Sequence, residues 1–298
     1  MPEARYYGGI EAGGTKFVCA VGDADGKLFA TTEFPTRDPA ATLDDAIAFF
    51  RHEAGAGRPC AAIGIGSFGP VEVDPRSPRY GELLNTPKAG WSGFNIASAV
   101  RETLGLPARI DTDVNAAGLA EHRWGCARDL ETALYVTVGT GIGVGAVQRG
   151  RIYRGASHPE MGHMYVPRSE ADQPEFGGVC PYHGSCIEGL ASGPAIVARY
   201  NQKLSALADD HPAWEIETDY LATFLANLTF AFQPDRIVVG GGVSNARLLE
   251  RVRVRLRARL AGYRPSLEAT QALEDYLMLP ALGSRAGVLG AILLAAEH

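Results

Sequence analysis

The sequence predicts an α/β fold in two similar halves, each a sheet packed against helices. Three observations carry this. Strand patterns give way to helix patterns twice along the chain, as expected where sheets are covered by helices. Both halves open with a strand, a Gly/Thr turn and a second strand, at 9–16 (GIEAGGTK) and at 138–143 (VGTGIG). The chain has 298 residues, 46% of them apolar, which at about 150 residues per domain is enough for two hydrophobic cores.

The first half reads as strands at 6–12, 16–21 and 28–34, with Gly13-Gly14 and Asp25-Gly26 as the turns between them. A helix is expected over 39–50, with Pro39 or Thr42 near its start. The glycine-bounded apolar run 61–65 reads as a buried strand, and 70–93, rich in Pro and Gly, as a loop. Asn95 is a good N-cap for a helix ending near Leu106-Pro107; a strand over 109–113 and a helix over 114–124 follow. The second half restarts with strands at 132–138 and 144–148. An aperiodic stretch, 154–192, holds His158, His163, Cys180, His183 and Cys186. Helices are expected at 195–207 and 220–232, a strand at 236–239, an Arg-rich helix through 251–259 and a closing small-residue helix at 284–296.

Composition narrows the function. The formal charge is −6, without the basic runs that nonspecific nucleic-acid binding requires. The arginines of 251–259 alternate with Val252, Val254 and Leu256, which reads as a solvated amphipathic helix rather than an anion site. The N-terminal stretch has no apolar signal core, and no segment approaches the ~20 apolar residues that span a bilayer, so a cytoplasmic protein with no membrane partner is expected. Five cysteines, an odd number, disfavour a disulfide framework; Cys19 and Cys60 lie in apolar strand runs and read as core.

Three glycine turns point to a nucleotide. Glycine lets the backbone approach a ligand closely, successive N–H groups make an anion-binding concavity, and a Thr hydroxyl adds a donor. Gly13-Gly14-Thr15-Lys16 and Gly139-Thr140-Gly141-Ile142-Gly143 join strands. Gly240-Gly241-Gly242-Val243-Ser244 lies between a strand and a helix, where a ribose or base can pack on bare backbone. Neither hairpin turn matches a P-loop or the dinucleotide fingerprint. Asp111-Thr112-Asp113-Val114-Asn115 ends a predicted strand, where α/β proteins project polar groups into a cleft. Phosphoryl transfer to an alcohol needs a carboxylate that orients the hydroxyl and takes its proton, and Asp113 is the candidate; alternatively it caps the next helix.

Cys180-x2-His183-x2-Cys186 is a compact loop motif that, with one more imidazole, makes a tetrahedral Cys2His2 zinc site. His163 is the first choice for the fourth ligand and His158 the second. Four apparent ligands without a further acid in the run describe a closed, structural metal that pins a polar loop. Glu160 and Glu188 flank it, either as contacts to sugar hydroxyls or as surface acids.

Taken jointly, these motifs make the chain, from Ile10 onward, resemble the ROK family of repressors and sugar kinases, and within it the bacterial fructokinase branch. The opening phosphate motif reads Glu11-Ala12-Gly13-Gly14-Thr15-Lys16, with Glu where Asp is usual. Thr112-Asp113-Val114-Asn115 matches the catalytic motif, with Thr112 where a sugar-binding Asn is common. Glu160-Met161-Gly162-His163 and the Cys180/His183/Cys186 loop match the sugar and zinc motifs.

The resemblance implies an actin-like (ribonuclease H-like) two-lobed sugar kinase fold with an interlobe active site. It places 1–112 plus 284–298 in a small N-terminal lobe and 113–283, with the zinc loop 158–188, in a larger one. It implies Asp113 as base and Asn85, Thr112, Asp113, Glu160, His163 and Glu188 as sugar contacts. ATP contacts are Gly13, Gly14, Thr15, Lys16, Thr140, Gly141, Pro194 and Gly240, Gly241, Gly242, Val243 and Ser244. Structural Zn2+ falls to His163, Cys180, His183 and Cys186, and Mg2+ accompanies ATP, with Glu11 as a through-water partner. A homodimer is expected. The activity implied is phosphorylation of D-fructose, with a glucokinase or mannokinase, or a non-catalytic sugar sensor, as alternatives. A DNA-binding repressor is disfavoured because the phosphate motif starts at Glu11, leaving no room before it for a helix-turn-helix.

Overall fold

The computed structural model describes residues 5–297 and divides into two units. One takes the residues up to Gly125, Gly150–His158 and the segment from Ser284; the other takes Cys126–Arg149 and Pro159–Gly283.

The first unit is built on a five-stranded sheet. Strands β1 (Tyr6–Ala12), β2 (Lys16–Gly22) and β3 (Leu28–Pro35) form an antiparallel meander. Helix α1 (Pro39–Gly55) then crosses to β4 (Cys60–Ser67), parallel to β1, and α2 (Ile96–Leu104) crosses to β5 (Ala108–Thr112), giving the order β3-β2-β1-β4-β5. Helix α1 starts at Pro39 as expected, at the position where a missing N–H does no harm, and Asp38 caps it: its carboxylate accepts the Ala41 N–H at 3.0 Å. Asn95 caps α2 through the Ser98 N–H at 2.8 Å, and Gly105 closes the helix at φ 67°. Helix α3 (Asp113–Trp124) follows β5 directly, and the short strand β8 (Arg151–Ile152) also falls in this unit.

Period-2 alternation decides which helix covers which face. Ile63 and Ile65 of β4 face Leu43, Ile47 and Phe50 of α1 and Ile96 and Val100 of α2. The stretch at 70–93 is no plain loop: Val71, Val73, Leu83 and Trp91 are buried in the same core. On the opposite face Gly64, in register with Gly9 on β1, leaves a trough for α9 (Ala286–Ala296), whose Ala291 carbonyl lies where a side chain would stand. Gly290 of α9 likewise lets the Ala116 backbone of α3 come into contact. These approaches hold α3 in the first unit, whereas the expected division fell at 112/113; the second unit begins instead at Cys126. Gly290→Ala drives a methyl into the Ala116 carbonyl, and destabilisation of about 2–3 kcal/mol is expected in urea unfolding. An unchanged midpoint would show that the two helices part freely.

The second unit repeats the theme. Strands β6 (Thr132–Val138) and β7 (Ile142–Gln148) form an antiparallel hairpin; β9 (Arg236–Gly240) lies parallel to β6, and β10 (Leu277–Met278) parallel to β9. Its helices are α4 (Ile187–Ala191), α5 (Gly193–Tyr200), α6 (Ala213–Phe232), α7 (Ala246–Leu260) and α8 (Thr270–Tyr276). The helix expected over 195–207 thus stops at Tyr200, with Asn201 left-handed at its end, and a 3-10 turn, Leu204–Ala206, takes up part of the remainder. Helix α7 buries Leu248, Val252, Leu256 and Leu260 at four-residue spacing, while Arg255 and Arg259 reach Asp219 of α6.

Candidate functional site

The first unit gathers acids around the start of α3. Thr112 caps that helix, its Oγ1 accepting the Asn115 N–H at 3.2 Å. Asp113 is therefore not the cap; it occupies the first helical turn and accepts the Val114 N–H at 2.9 Å. Burial pushes the Asp113 carboxyl up to about 6, against the pull of the Val114 and Asp113 N–H groups. Glu11, at the end of β1, is pushed up to about 7 by burial and then by the Asp113 charge; Lys16 and the Val288 N–H at the start of α9 pull it down. Its Oε2 is buried without a hydrogen-bond partner, and a Cβ on Gly287 would lie 2.6 Å from its Oε1.

One contributor escaped the sequence reading. Asp111 is fully buried, with Oδ1 accepting the Thr112 N–H at 2.8 Å and the Asn115 side-chain amide at 2.7 Å, while Oδ2 meets Arg154. This pairing fixes the strand end that carries Asp113. The only signal was its spacing of two from Asp113, and Arg154 lies 43 positions away.

The Gly13–Lys16 turn closes with the Gly13 N–H donating to the Lys16 carbonyl at 3.0 Å, and Thr36 bonds it from below through the Gly13 and Thr15 carbonyls. Gly14 faces open space and Thr15 is exposed; the Lys16 ammonium pairs with Glu33 at 2.7 Å. Asn85 is exposed on the segment after Leu83, whose neighbour Leu84 is tied by its N–H to the Pro70 carbonyl.

In the second unit three stations expected to hold nucleotide come together. The Gly139 carbonyl accepts the Gly193 N–H at 2.8 Å, at the start of α5, where Pro194 is exposed. The Val243 N–H donates to the Val138 carbonyl at 2.9 Å, and the Ser244 hydroxyl to the Gly240 carbonyl at 2.8 Å. Gly241 has φ +90° and passes so close to Val138 that only glycine fits. Thr140 and Gly242 are exposed above this backbone cradle, with Gly141 partly so.

The same unit gathers His163, Cys180, His183 and Cys186, whose ligand atoms all lie within 4.8 Å of one another. His163 Nδ1 stands 3.7 Å from Cys180 Sγ and 3.5 Å from Cys186 Sγ, and His183 Nδ1 is 3.7 Å from Cys180 Sγ. Tetrahedral zinc with its ordinary Zn–S and Zn–N bond lengths places neighbouring S and N ligands about 3.6 Å apart. His158, the second choice, is buried in the first unit, where its Nε2 accepts the Val71 N–H at 3.3 Å. Glu188 Oε2 accepts the Ile142 N–H at 3.1 Å, and Glu160 is exposed.

The model of the ROK family matches residues 7–298. The fructokinase of Pediococcus pentosaceus is 41% identical over 289 residues, which are 97% of this chain and 96% of that protein. The ROK hexokinase structure from Thermus thermophilus superposes with a TM-score of 0.77 at 28% identity, covering 98% of each chain. The ROK family glucokinase of Streptomyces griseus, solved with glucose and AMPPNP, gives 0.75 at 25% identity, covering 99% of this chain and 100% of that one. The two mixed sheets with their helices are the actin-like α/β fold of these sugar kinases. Among the described residues no helix is long and apolar enough to cross a membrane.

Proposed function

The chain belongs to the ROK family, and from that membership we propose an ATP-dependent hexose kinase that converts D-fructose to fructose 6-phosphate with release of ADP. The observation that carries phosphotransfer is the backbone cradle of the second unit, where the Gly139 turn, the start of α5 and the Gly240 turn are hydrogen-bonded together. Fructose rests on the 41% identity to a fructokinase, against 28% and 25% to the hexokinase and glucokinase structures.

In this reading the C6 hydroxyl of fructose is the nucleophile. Asp113 orients it and accepts its proton as the oxygen–phosphorus bond forms; the bond from the γ-phosphorus to the bridging oxygen breaks, and ADP leaves with the electron pair. Asn85, Thr112, Glu160, His163 and Glu188 hold the sugar. Gly13, Gly14, Thr15 and Lys16, with Thr140, Gly141, Pro194 and residues 240–244, hold ATP. Because the transition state of such transfers is loose, positioning contributes more than the base. Mg2+ accompanying ATP would neutralise charge on the phosphates, and Glu11, whose buried Oε2 lacks a partner, would help to hold it through water. His163, Cys180, His183 and Cys186 hold a structural zinc, a fit supported by their 3.5–3.7 Å separations. The reading is completed by a homodimer in the cytoplasm.

An ADP-coupled assay across D-fructose, D-glucose and D-mannose tests it. Fructose is expected to lead in kcat/KM by about tenfold or more, a difference of ~1.4 kcal/mol in transition-state binding. Turnover of no hexose would sink the kinase; a lead for glucose would reassign the sugar alone.

A further inference from the structure

The 139–143 turn and the metal cluster are not independent parts of the second unit. The cluster draws its ligands from two segments, His163 at the end of the 3-10 turn Met161–His163, and the loop from Cys180 to Cys186. Both segments also touch the turn. On the first, Gly162 lies so close under the Ile142 carbonyl that a side chain there would overlap it. On the second, Glu188, two residues beyond Cys186, takes the Ile142 N–H on Oε2 at 3.1 Å, and a Cβ on Gly141 would stand 2.6 Å from the same oxygen. At Ile142 the N–H is thus hydrogen-bonded from one ligand segment, while the C=O is closely packed by the backbone of the other.

Protein contacts also join the two segments directly. They include the Ile187 N–H to the Met164 carbonyl at 2.9 Å, a bridge between Tyr165 and Cys186, and ring contacts of His163 and Tyr165 with His183. Between His163 and Cys180 the chain runs through 164–179 with little regular structure of its own. A four-ligand ion closes that loop covalently, removing the freedom the segments would otherwise have to separate.

We propose that the His163/Cys180/His183/Cys186 metal module, acting through Glu188 and Gly162, sets the position of the 139–143 turn, so that metal occupancy is transmitted to the nucleotide-binding backbone. Glu188 is then a positioning residue as well as a sugar contact: Oε2 holds the turn, and Oε1 is the oxygen left for a hydroxyl. The assignment of nucleotide to this turn rests on the kinase reading; the mechanical link does not.

The test compares the full chain, zinc-loaded and chelator-stripped, by hydrogen–deuterium exchange and by calorimetric titration with ADP. Stripping is expected to speed exchange of the Ile142 amide about tenfold or more and to weaken ADP by a similar factor, while the strand amides of β1 and β2 keep their protection. Glu188→Ala, with zinc retained, is expected to loosen the same amide, and Glu188→Gln, whose amide oxygen still accepts, to restore it. Unchanged Ile142 exchange in both the stripped protein and Glu188→Ala would overturn the proposal. If stripping unfolds the unit, the Glu188→Ala and Glu188→Gln pair alone decides. Accelerated exchange without any ADP binding would leave the link standing and remove the kinase reading instead.

Discussion

Asp113→Asn is expected to lower kcat by about 10²-fold or more while leaving the fold intact. The fold survives because Thr112, not Asp113, caps α3, and because the asparagine carbonyl can still accept the Val114 N–H. Turnover falls because the amide cannot take the proton of the attacking hydroxyl. With the Asp113 carboxyl pushed up to about 6, the wild-type kcat/KM should drop roughly tenfold per pH unit below that value, a dependence the variant lacks. Stability gives a second reading. The carboxyl is held above its unfolded value, so native protein carries the extra proton, and stability declines as pH rises from about 4 to about 6. Asp113→Asn should therefore be more stable than wild type at pH 7.5 and indistinguishable from it at pH 4 in this respect. Kinetics over pH 5–8 and urea unfolding at the two pH values check both; full activity in the variant would remove Asp113 as base.

Cys186→Ser carries the second large effect. Cys186 is completely buried, ends the ligand loop and stands at the start of α4. A serine oxygen is a poor substitute for a thiolate on zinc, so bound metal should fall from about one per chain to near zero. Losing even about 3 kcal/mol of the metal's contribution lowers Tm by roughly 10 °C for a unit of this size. Elemental analysis with scanning calorimetry measures both, and full zinc content in the variant would exclude Cys186 as a ligand.

The parts of the chain that the sequence revealed are those where local physics dominates. Asn95 as a cap, the glycine-bounded apolar run of β4, and the glycine turns each follow from a few neighbouring residues. Helix α6 shows the limit. The pattern predicts its start at 220, but it begins at Ala213, and the added turns carry Glu215, Glu217 and Asp219. Two of these acids are buried: Asp219 is met by Arg255 and Arg259 of α7, and Glu217 is pushed well above the ordinary carboxylate range by burial. Partners some 40 residues away are invisible to a local pattern. The same holds for Trp91 and Leu83, whose aperiodic Pro/Gly setting hid a core contribution, and for His158, whose partner Val71 lies 87 positions off. At the site, residue types and spacing identified the metal ligands as candidates, whereas Asp111's role depends on Arg154 arriving from another segment.

Helix α9 has a consequence for how the protein is made. Its trough between Gly9 and Gly64 belongs to strands near the start of the chain, yet roughly 160 residues separate α3 from the helix that fills it. At ordinary translation speeds those residues take on the order of 10 s to synthesise. Throughout that interval, while the second unit is itself being synthesised, the nascent first unit carries an uncovered apolar face, flanked by Tyr7, Ala20 and Ala62. The unit first to be synthesised is therefore the last to be finished, and its exposed sheet face is where a chaperone would be needed during synthesis.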